Sequence, residues 1–227
     1  MKHMFIWNNK NSDAMGLWIA KMPEPTRAPE RVETINIPGR AGSLTLLEGD
    51  DVYDGYLKEI VVQTRRGNPL IQEIMEWLRG EGSLILSNEA GFSYKARISG
   101  KVQFDRISND LMQAKIPFFV EPFKRSRHPE SDRITVASSG STIKNPGNIA
   151  SKPIVTVTGG GSITINSKTI PVASTETVII DCDAHVATVA GEIYSDIDEF
   201  WTLPVGDSTI TYTGSPTIVI DPEWRWV

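Results

Sequence analysis

The segment Asp181-Cys182-Asp183-Ala184-His185 places four side chains that can bind a metal ion within five residues. In a strand, alternate side chains face opposite sides, so Asp181, Asp183 and His185 would share one face and Cys182 would lie on the other. Structural zinc sites use four ligands, and the sequence has no second cluster with zinc spacing. Because Asp favours turns, we interpret the segment as a turn between two strands and predict neither a metal site nor a cofactor.

A second group of carboxylates, Asp196, Asp198 and Glu199, stands directly before Phe200 and Trp201. Paired carboxylates beside aromatic rings can hydrolyse a glycosidic bond or bind calcium. The segment lacks the spacing of oxygen ligands that a calcium loop needs. We therefore favour a solvated loop that begins a helix and sends its two aromatic rings into the core.

Gly206-Asp207-Ser208 resembles the nucleophile block of lipase-like hydrolases. In such an enzyme a helix follows the serine, whereas residues 209–213 alternate as a strand does. The three histidines, His3, His128 and His185, have no neighbours that suggest a catalytic triad. We therefore predict no catalytic residues and no enzymatic activity.

Three tryptophans are candidates for stacking on a sugar: Trp201, Trp224 and Trp226. Trp224 and Trp226 flank Arg225 at strand spacing, which puts both rings on one face. Packing in a core is the alternative role of these rings, and the favoured one. The pattern keeps open a second hypothesis, a carbohydrate-binding β-sandwich module that contacts cell-wall glycans.

Composition limits the class of protein. Of the 227 residues, 40% are hydrophobic and 22% are charged, as in folded globular proteins. No apolar run approaches the length of about 18 residues that a membrane helix needs, and polar residues follow the N-terminus too early for a signal peptide. A single cysteine, Cys182, excludes an intramolecular disulfide. We expect synthesis in the cytoplasm and no membrane insertion.

The two halves of the chain differ in composition. Ser and Thr number 12 in residues 1–127 and 25 in residues 128–227. The first part has 18 Lys and Arg against 16 Asp and Glu, and the second has 5 against 12. We predict two domains, 1–127 and 128–227, with the boundary in the charged segment 123–131. This charge balance argues against a dedicated nucleic-acid binder, which gains affinity by neutralising phosphates.

The first domain is predicted to be a β-barrel or β-sheet with one α-helix. Strands are expected at residues 17–22, 31–37, 44–48, 57–63, 84–87, 92–99, 101–107 and 111–120. The helix is predicted over residues 69–79, with Asn68 as N-cap, Pro69 at the first position and Gly80 after the end. Its apolar face combines five side chains at helical spacing, namely Leu70, Ile71, Ile74, Trp77 and Leu78.

The second domain is predicted to be an antiparallel β-sandwich. Short segments rich in Thr, Val and Ile alternate with Gly and Pro turns, as in sandwiches. Strands are expected at residues 134–136, 154–158, 162–166, 168–171, 177–181, 185–190, 208–213 and 217–221. Gly159-Gly160-Gly161 and Asn166-Ser167 are predicted to join neighbouring strands.

Three stretches resemble the distal tail proteins of long-tailed bacteriophages. The first is Ile37-Pro38-Gly39-Arg40-Ala41-Gly42-Ser43-Leu44 with Gly49 and Tyr53 after it, similar to a Pro-Gly-Arg-x-Gly turn. The second is the strand end 116–124, which leads into a Pro-Phe corner. The third is the order of turns and strands at 145–148, 152–159, 178–181 and 203–210, similar to a galectin-like domain.

The resemblance implies a structural tail-tip protein of a phage or prophage. N-terminal domains would form a hexameric ring between the tail tube and the baseplate or host-recognition apparatus, with galectin-like domains outside. Partners would be the tube protein and a hub or tail-associated protein, and the location would be the virion tail after assembly in the host cytoplasm. DNA would pass through the lumen without tight binding.

Within that family, Arg40 is the candidate subunit-interface residue. Gly39 and Gly42 permit positive φ, so a tight turn can project the Arg40 side chain outward towards a neighbouring subunit. A plain hairpin with a solvated arginine is the alternative interpretation of the same turn.

Overall fold

The computed structural model describes residues 3–49 and 51–227, which form two compact units. One unit ends at Arg127 and also includes Val227, and the other runs from His128 to Trp226. Both consist of antiparallel strands with one short α-helix in the first unit, so the prediction of a mainly β protein is confirmed. No helix in the described residues is long and apolar enough to cross a membrane.

Most strands of the first unit form one antiparallel sheet, in the order β2-β1-β7-β8-β10-β6-β3, with β9 also paired to β10. Strands β4 and β5 pair only with each other in the described structure. The strands are β1 Phe5–Trp7, β2 Lys10–Asn11, β3 Trp18–Lys21, β4 Val32–Asn36, β5 Ser43–Leu47, β6 Tyr56–Arg65, β7 Glu81–Leu86, β8 Phe92–Ile98, β9 Phe104–Arg106 and β10 Leu111–Ser126.

Helix α1 spans Ile71–Trp77, and a 3-10 turn spans Ser87–Glu89. The predicted helix was two residues too long at each end. Asn68 lies two residues before the observed N-cap, Leu70. Its side-chain oxygen accepts the Leu70 N–H at 2.9 Å, and residues 69–70 form a turn rather than helix. At the other end, the backbone angles of Leu78 are no longer helical, and Gly80 follows with φ +74°.

Strand β1 and helix α1 are joined by two reciprocal hydrogen bonds. The indole N–H of Trp7 donates to the Trp77 carbonyl at 3.1 Å, and the indole N–H of Trp77 donates to the Trp7 carbonyl at 2.9 Å. Phe5 and Trp7 are fully buried, and both rings meet Phe118 edge to face. A strand that the sequence analysis did not predict therefore fixes the helix on the sheet.

Strand β10 continues beyond its predicted end at residue 120. Its register against β8 shifts between Val120 and Lys124, so a bulge accommodates Glu121, Pro122 and Phe123. Proline is tolerated at bulges because no ladder hydrogen bond is required of it there. The expected corner is thus a bulge, and residues 123–126 belong to the strand rather than to a linker.

The second unit is a sandwich of two antiparallel sheets, in the orders β11-β20-β13-β16-β17-β18 and β12-β19-β14-β15. A 3-10 turn, Pro129–Ser131, precedes them. The strands are β11 Ile134–Thr135, β12 Ser141–Asn145, β13 Ile154–Thr158, β14 Gly161–Ile165, β15 Lys168–Val172, β16 Val178–Asp181, β17 Val186–Val189, β18 Glu192–Ile193, β19 Gly206–Thr213, β20 Thr217–Asp221 and β21 Arg225–Trp226.

Apolar side chains from both sheets share one core, which confirms the predicted sandwich. Residues 159–160 and 166–167 connect strands as predicted, whereas Gly161 already belongs to β14. Gly159, Gly160 and Asn166 all have positive φ there. Strand β12 was not predicted, and the helix expected after the acidic group at 196–199 does not form.

Candidate functional site

The β4–β5 hairpin, residues 32–47, is the most exposed part of the first unit. Every residue of both strands is exposed, and none belongs to a hydrophobic core of the described structure. Five residues per strand at about 3.3 Å each give a ribbon about 16 Å long. An isolated two-stranded hairpin is at best marginally stable in water. The ribbon therefore has the character of an interaction surface.

The two faces of this hairpin differ in chemistry. The register pairs Ile35 with Leu44 and Glu33 with Leu46, so these four side chains share one face. The alternation continues to Ile37, and the four aliphatic side chains are between 37% and 42% exposed. The opposite face carries Thr34, Asn36, Ser43 and Thr45 and, at the base of the hairpin, the exposed side chains of Val32 and Leu47. One face is therefore apolar apart from Glu33, and the other is polar except at its base.

The tip of the hairpin is the Pro-Gly-Arg turn. Gly39 and Gly42 both have φ +81°, and the Arg40 N–H donates to the Ile37 carbonyl at 3.2 Å. No heavy atom lies within 4 Å of a side-chain position at either glycine. The structure therefore places Arg40 on an exposed tip, with its side chain available to another molecule.

Arg31 holds the two sides of the hairpin base together. Its guanidinium donates to Asp54 Oδ1 at 2.7 Å and lies 3.8 Å from Glu48 Oε2. The hydrogen bond to Asp54, together with its charge, raises the pKa of Arg31. Backbone bonds continue this pairing, since the Arg31 N–H donates to the Val52 carbonyl at 3.0 Å. The hairpin is therefore fixed at its base and uncovered beyond it.

A buried ionic cluster lies next to the segment that leads into the hairpin. Lys58 and Glu89 are 2% and 8% exposed, and Lys58 Nζ lies 3.2 Å from Glu89 Oε2. Tyr94 donates its hydroxyl proton to the same oxygen at 2.7 Å, and Lys124 binds the other carboxylate oxygen at 2.9 Å. Glu89 thus has three partners, as a buried carboxylate needs.

The environment shifts the pKa values in this cluster. Burial lowers the pKa of Lys58, and the charge of Glu89 offsets only part of that effect. Burial alone would raise the pKa of Glu89, but the hydrogen bonds from Tyr94 and Lys124 and the charge of Lys58 outweigh it and lower the pKa. Burial also raises the pKa of Tyr94, and it raises that of Tyr56 to about 12.

The same cluster holds the backbone that precedes the hairpin. The ammonium of Lys58 donates to the Glu24 carbonyl at 3.2 Å, and the Tyr56 hydroxyl donates to the Thr26 carbonyl at 3.0 Å. Asn88 donates to the Pro23 carbonyl at 2.9 Å. Residues 23–26 are therefore tied to the sheet by polar groups. No pattern in the sequence pointed to this arrangement, because its members come from distant segments.

The candidate sugar-binding tryptophans lie mostly inside the second unit. Trp201 is 1% exposed and Trp224 is 5% exposed, and both belong to the core. Trp226 is half-buried and packs against that core. The Trp201 indole N–H donates to the Lys168 carbonyl at 3.0 Å. These positions favour the packing role that the sequence left as the alternative to sugar binding.

The segment Asp181–His185 forms the predicted turn, between β16 and β17. The Asp181 carboxylate accepts the N–H groups of Asp183 and Ala184 at 2.9 Å each, which closes the turn. Cys182 is buried, which raises the pKa of its thiol to about 11. Within residues 3–49 and 51–227, no three His, Cys, Asp or Glu side chains come together as a metal site.

The serine of Gly206-Asp207-Ser208 lies within strand β19 and is 1% exposed. Its hydroxyl accepts a hydrogen bond from the Asn166 amide at 3.2 Å. A nucleophilic serine needs an exposed position on a sharp turn before a helix. The position of Ser208 is instead that of a strand residue in a core.

The fold of the chain is similar to that of a protein of known structure. No protein-family model matches the sequence, and no curated protein matches it. The crystal structure of SPP1 Dit (gp 19.1), described as a paradigm of the hub adsorption apparatus in phages that infect Gram-positive bacteria, superposes with a TM-score of 0.72. The match covers 97% of this chain and 98% of that chain at 10% identity.

The chain has the fold of a phage distal tail protein. The match extends over both units, so the resemblance drawn from the order of turns and strands is confirmed at the level of the fold. Of the residues predicted from that resemblance, Arg40 lies on the exposed hairpin. The apolar face of Ile35, Leu44 and Leu46 was missed, although its period-two alternation is visible in the sequence.

Proposed function

We propose that this protein is a structural component of a phage tail tip, forming the hub between the tail tube and the host-recognition or baseplate apparatus. The observation that supports the proposal most strongly is an exposed hairpin with an apolar face, on a unit whose fold is like that of a phage hub protein. Its role is assembly rather than catalysis. The protein would be found in the virion tail, after assembly in the host cytoplasm.

The hub is proposed to be a ring of six copies. A ring needs two different surfaces on each subunit, which meet head to tail and close by rotation. The apolar face of the β4–β5 hairpin supplies one surface, and the next copy supplies the other. Covering Ile35, Leu44 and Leu46 against a neighbour removes apolar surface from water and stabilises a hairpin that is marginal by itself.

Arg40 is proposed to add specificity at the hairpin tip. A guanidinium presents donors in a fixed fork that suits a carboxylate on another subunit. Because the side chain is exposed in the single chain, forming this contact would cost little rearrangement. Replacing Arg40 by Ala should weaken association of the ring while leaving the folded monomer unchanged.

The mass of the purified protein in solution tests the ring. Light scattering on a sizing column should give about 150 kDa, six times the 25.1 kDa chain. Ile35→Asp should shift the mass to that of a monomer, because it places a charge in the apolar interface. Thr34→Asp on the polar face is the matched control and should keep the ring. A ring that survives Ile35→Asp would exclude this hairpin face from the interface.

DNA is proposed to pass through the ring without being held. The first 127 residues carry a net charge near zero, with 18 basic against 16 acidic side chains. Tight non-specific binding needs several neutralised phosphates and depends steeply on salt. A filter assay at physiological salt should show no tight binding, and a strong salt-dependent affinity would contradict this part of the proposal.

The proposed partners are the tube protein on one side of the ring and a hub or tail-associated protein on the other. Both would be other tail proteins of the same phage.

A further inference from the structure

The start of strand β15, the turn before β17 and the irregular segment 197–200 of the second unit meet around an open pocket of about 510 Å³. Its lining combines an ammonium, an imidazole, two carboxylates and two apolar side chains, from Lys168, His185, Ile197, Asp198, Glu199 and Phe200. The volume lies within the range of small-molecule sites, which is about 300–1,000 Å³. Two motifs that the sequence analysis treated separately, the one at 181–185 and the one at 196–201, therefore form one concave surface.

The turn that carries His185 is rigidly built. Asp181 accepts two backbone N–H groups within the turn, and its register partner Val186 begins β17. His185 itself has φ +54°, which is uncommon for residues other than glycine, and its ring stacks on Phe200. The imidazole is therefore presented at a defined position and not at the end of a loose loop.

The opposite wall is held by buried residues on both sides. Ile197 is 7% exposed and Trp201 is 1% exposed, while Asp198 and Glu199 between them are exposed. The Trp201 indole also ties this segment to the Lys168 carbonyl at 3.0 Å. The buried residues Ile197 and Trp201 therefore fix both ends of the stretch 198–200. This limits the conformational entropy that the stretch would lose on binding a ligand.

The groups in the pocket suit hydroxyls next to the face of an aromatic ring. The rings of His185 and Phe200 stack with centroids 5.1 Å apart and an angle of 7°. Lys168 Nζ lies 3.6 Å from Glu199 Oε2, which leaves ammonium protons for another acceptor. Asp198 has no ion-pair partner within the described part of the chain, so both its oxygens can accept hydrogen bonds.

Electrostatics argues against an anionic ligand. Residues 128–227 contain 5 Lys and Arg against 12 Asp and Glu, and two of those carboxylates line the pocket. A field of this sign repels phosphate and carboxylate groups. A neutral ring with adjacent hydroxyls meets no such penalty, because a carboxylate accepts hydroxyl hydrogen bonds strongly.

We propose that this pocket binds a neutral saccharide. The apolar C–H face of the sugar would lie against the face of the His185 ring that is turned away from Phe200. Two adjacent hydroxyls would donate to Asp198, and a ring or hydroxyl oxygen would accept from Lys168. The site belongs to the second unit alone, so it does not rest on ring formation by the first.

Saturation-transfer NMR on the full chain tests the proposal with four probes: methyl β-galactopyranoside, methyl α-glucopyranoside, N-acetylglucosamine and glycerol 3-phosphate. At least one neutral sugar should bind, in the millimolar range, and glycerol 3-phosphate should not. Asp198→Asn should weaken binding about tenfold, because the charged acceptor is lost. Phe200→Ala should weaken it about as much, because His185 loses the ring against which it stacks.

Asp196→Asn is the matched control, since Asp196 is exposed and does not line the pocket. It should bind sugar within about twofold of the unchanged chain, a difference well below 1 kcal/mol. Asp198→Asn changes an exposed side chain without changing its size, so it decides the question even if Phe200→Ala does not fold. The proposal is overturned if none of the sugars binds, if glycerol 3-phosphate binds equally well, or if Asp198→Asn retains full affinity.

Discussion

Lys58 and Glu89 place their charged groups 3.2 Å apart in the interior of the first unit, joining strand β6 to the 3-10 turn before β8. Taking two charges out of water costs several kcal/mol per ion unless each finds partners. Here Tyr94 and Lys124 complete the shell of Glu89, and the Glu24 carbonyl accepts from Lys58. The pair therefore links the sheet to the segment that enters the hairpin.

Replacing Lys58 by Met should lower the free energy of unfolding by about 3 kcal/mol, because it removes one partner of a buried carboxylate. Removing one partner of a buried ion pair costs about 3–5 kcal/mol. We expect the lower value because Lys124 remains bound to Glu89. Urea denaturation measures the change. Lys115→Met is the control, since Lys115 is 68% exposed and forms a surface pair with Glu59 at 3.6 Å. Equal losses in both variants would show that the buried pair does not stabilise the fold.

The lowered pKa of Glu89 predicts acid sensitivity. The unfolded carboxyl titrates near 4.5 and the folded one below that value, so between the two the unfolded state binds more protons. The stabilisation is complete above pH 4.5 and is lost as the pH falls through the folded pKa. Glu89→Gln should be less stable at neutral pH and should lose less stability on acidification. An acid slope in Glu89→Gln that matches that of the exposed control Glu59→Gln would contradict this assignment.

The sequence predicted those parts of the fold that depend on local pattern. Strands of the sandwich follow from period-two alternation, and helix α1 follows from Ile74 and Leu78 at helical spacing. Strand β1 was not predicted, because Phe5–Trp7 is only three residues long and shows too little alternation. Its turn uses Asn8 and Asn9, both at positive φ, where Asn-Gly would have been the familiar signal.

The candidate sites likewise divide into those with a local sequence signature and those that only the fold brings together. Arg40 and its glycines could be found because a tight turn has a local signature, and the turn at Asp181 could be found for the same reason. The Lys58–Glu89 pair could not be predicted from the sequence, because the two residues are 31 positions apart and share no pattern. The saccharide pocket likewise needed the fold to bring His185 next to Phe200.

The hairpin base should loosen when Arg31 is replaced by Met. This change removes the bond to Asp54 and the pair with Glu48, both on the surface. The midpoint of global unfolding should stay unchanged, because exposed ion pairs contribute little to stability. Chymotrypsin should nevertheless cut faster after Leu44 or Leu46 in the monomeric Ile35→Asp background. Arg40→Met at the tip is the control and should be cut at the starting rate; equal acceleration in both would exclude anchoring by Arg31.

Gly82 lies against the side-chain amide of Asn8, and substitutions at the two positions test this contact. A side chain at Gly82 would collide with the Asn8 amide, which accepts from the Ser83 N–H at 3.1 Å and donates to the Glu81 carbonyl at 3.4 Å. Gly82→Ala should therefore destabilise the first unit by about 1–3 kcal/mol. Gly91→Ala, with no atom within 4 Å of the new methyl group, should cost much less.

Asn8→Gly should relieve that collision, because Asn8 has φ +47° and glycine adopts this conformation freely. The loss from Gly82→Ala should consequently be smaller in the Asn8→Gly background, which gives a coupling energy of about 0.5–3 kcal/mol in a double-mutant cycle. Urea denaturation of the four proteins measures this coupling. Additive effects would mean that Gly82 is required for another reason, and that the β1–β2 turn does not pack against β7 through Asn8.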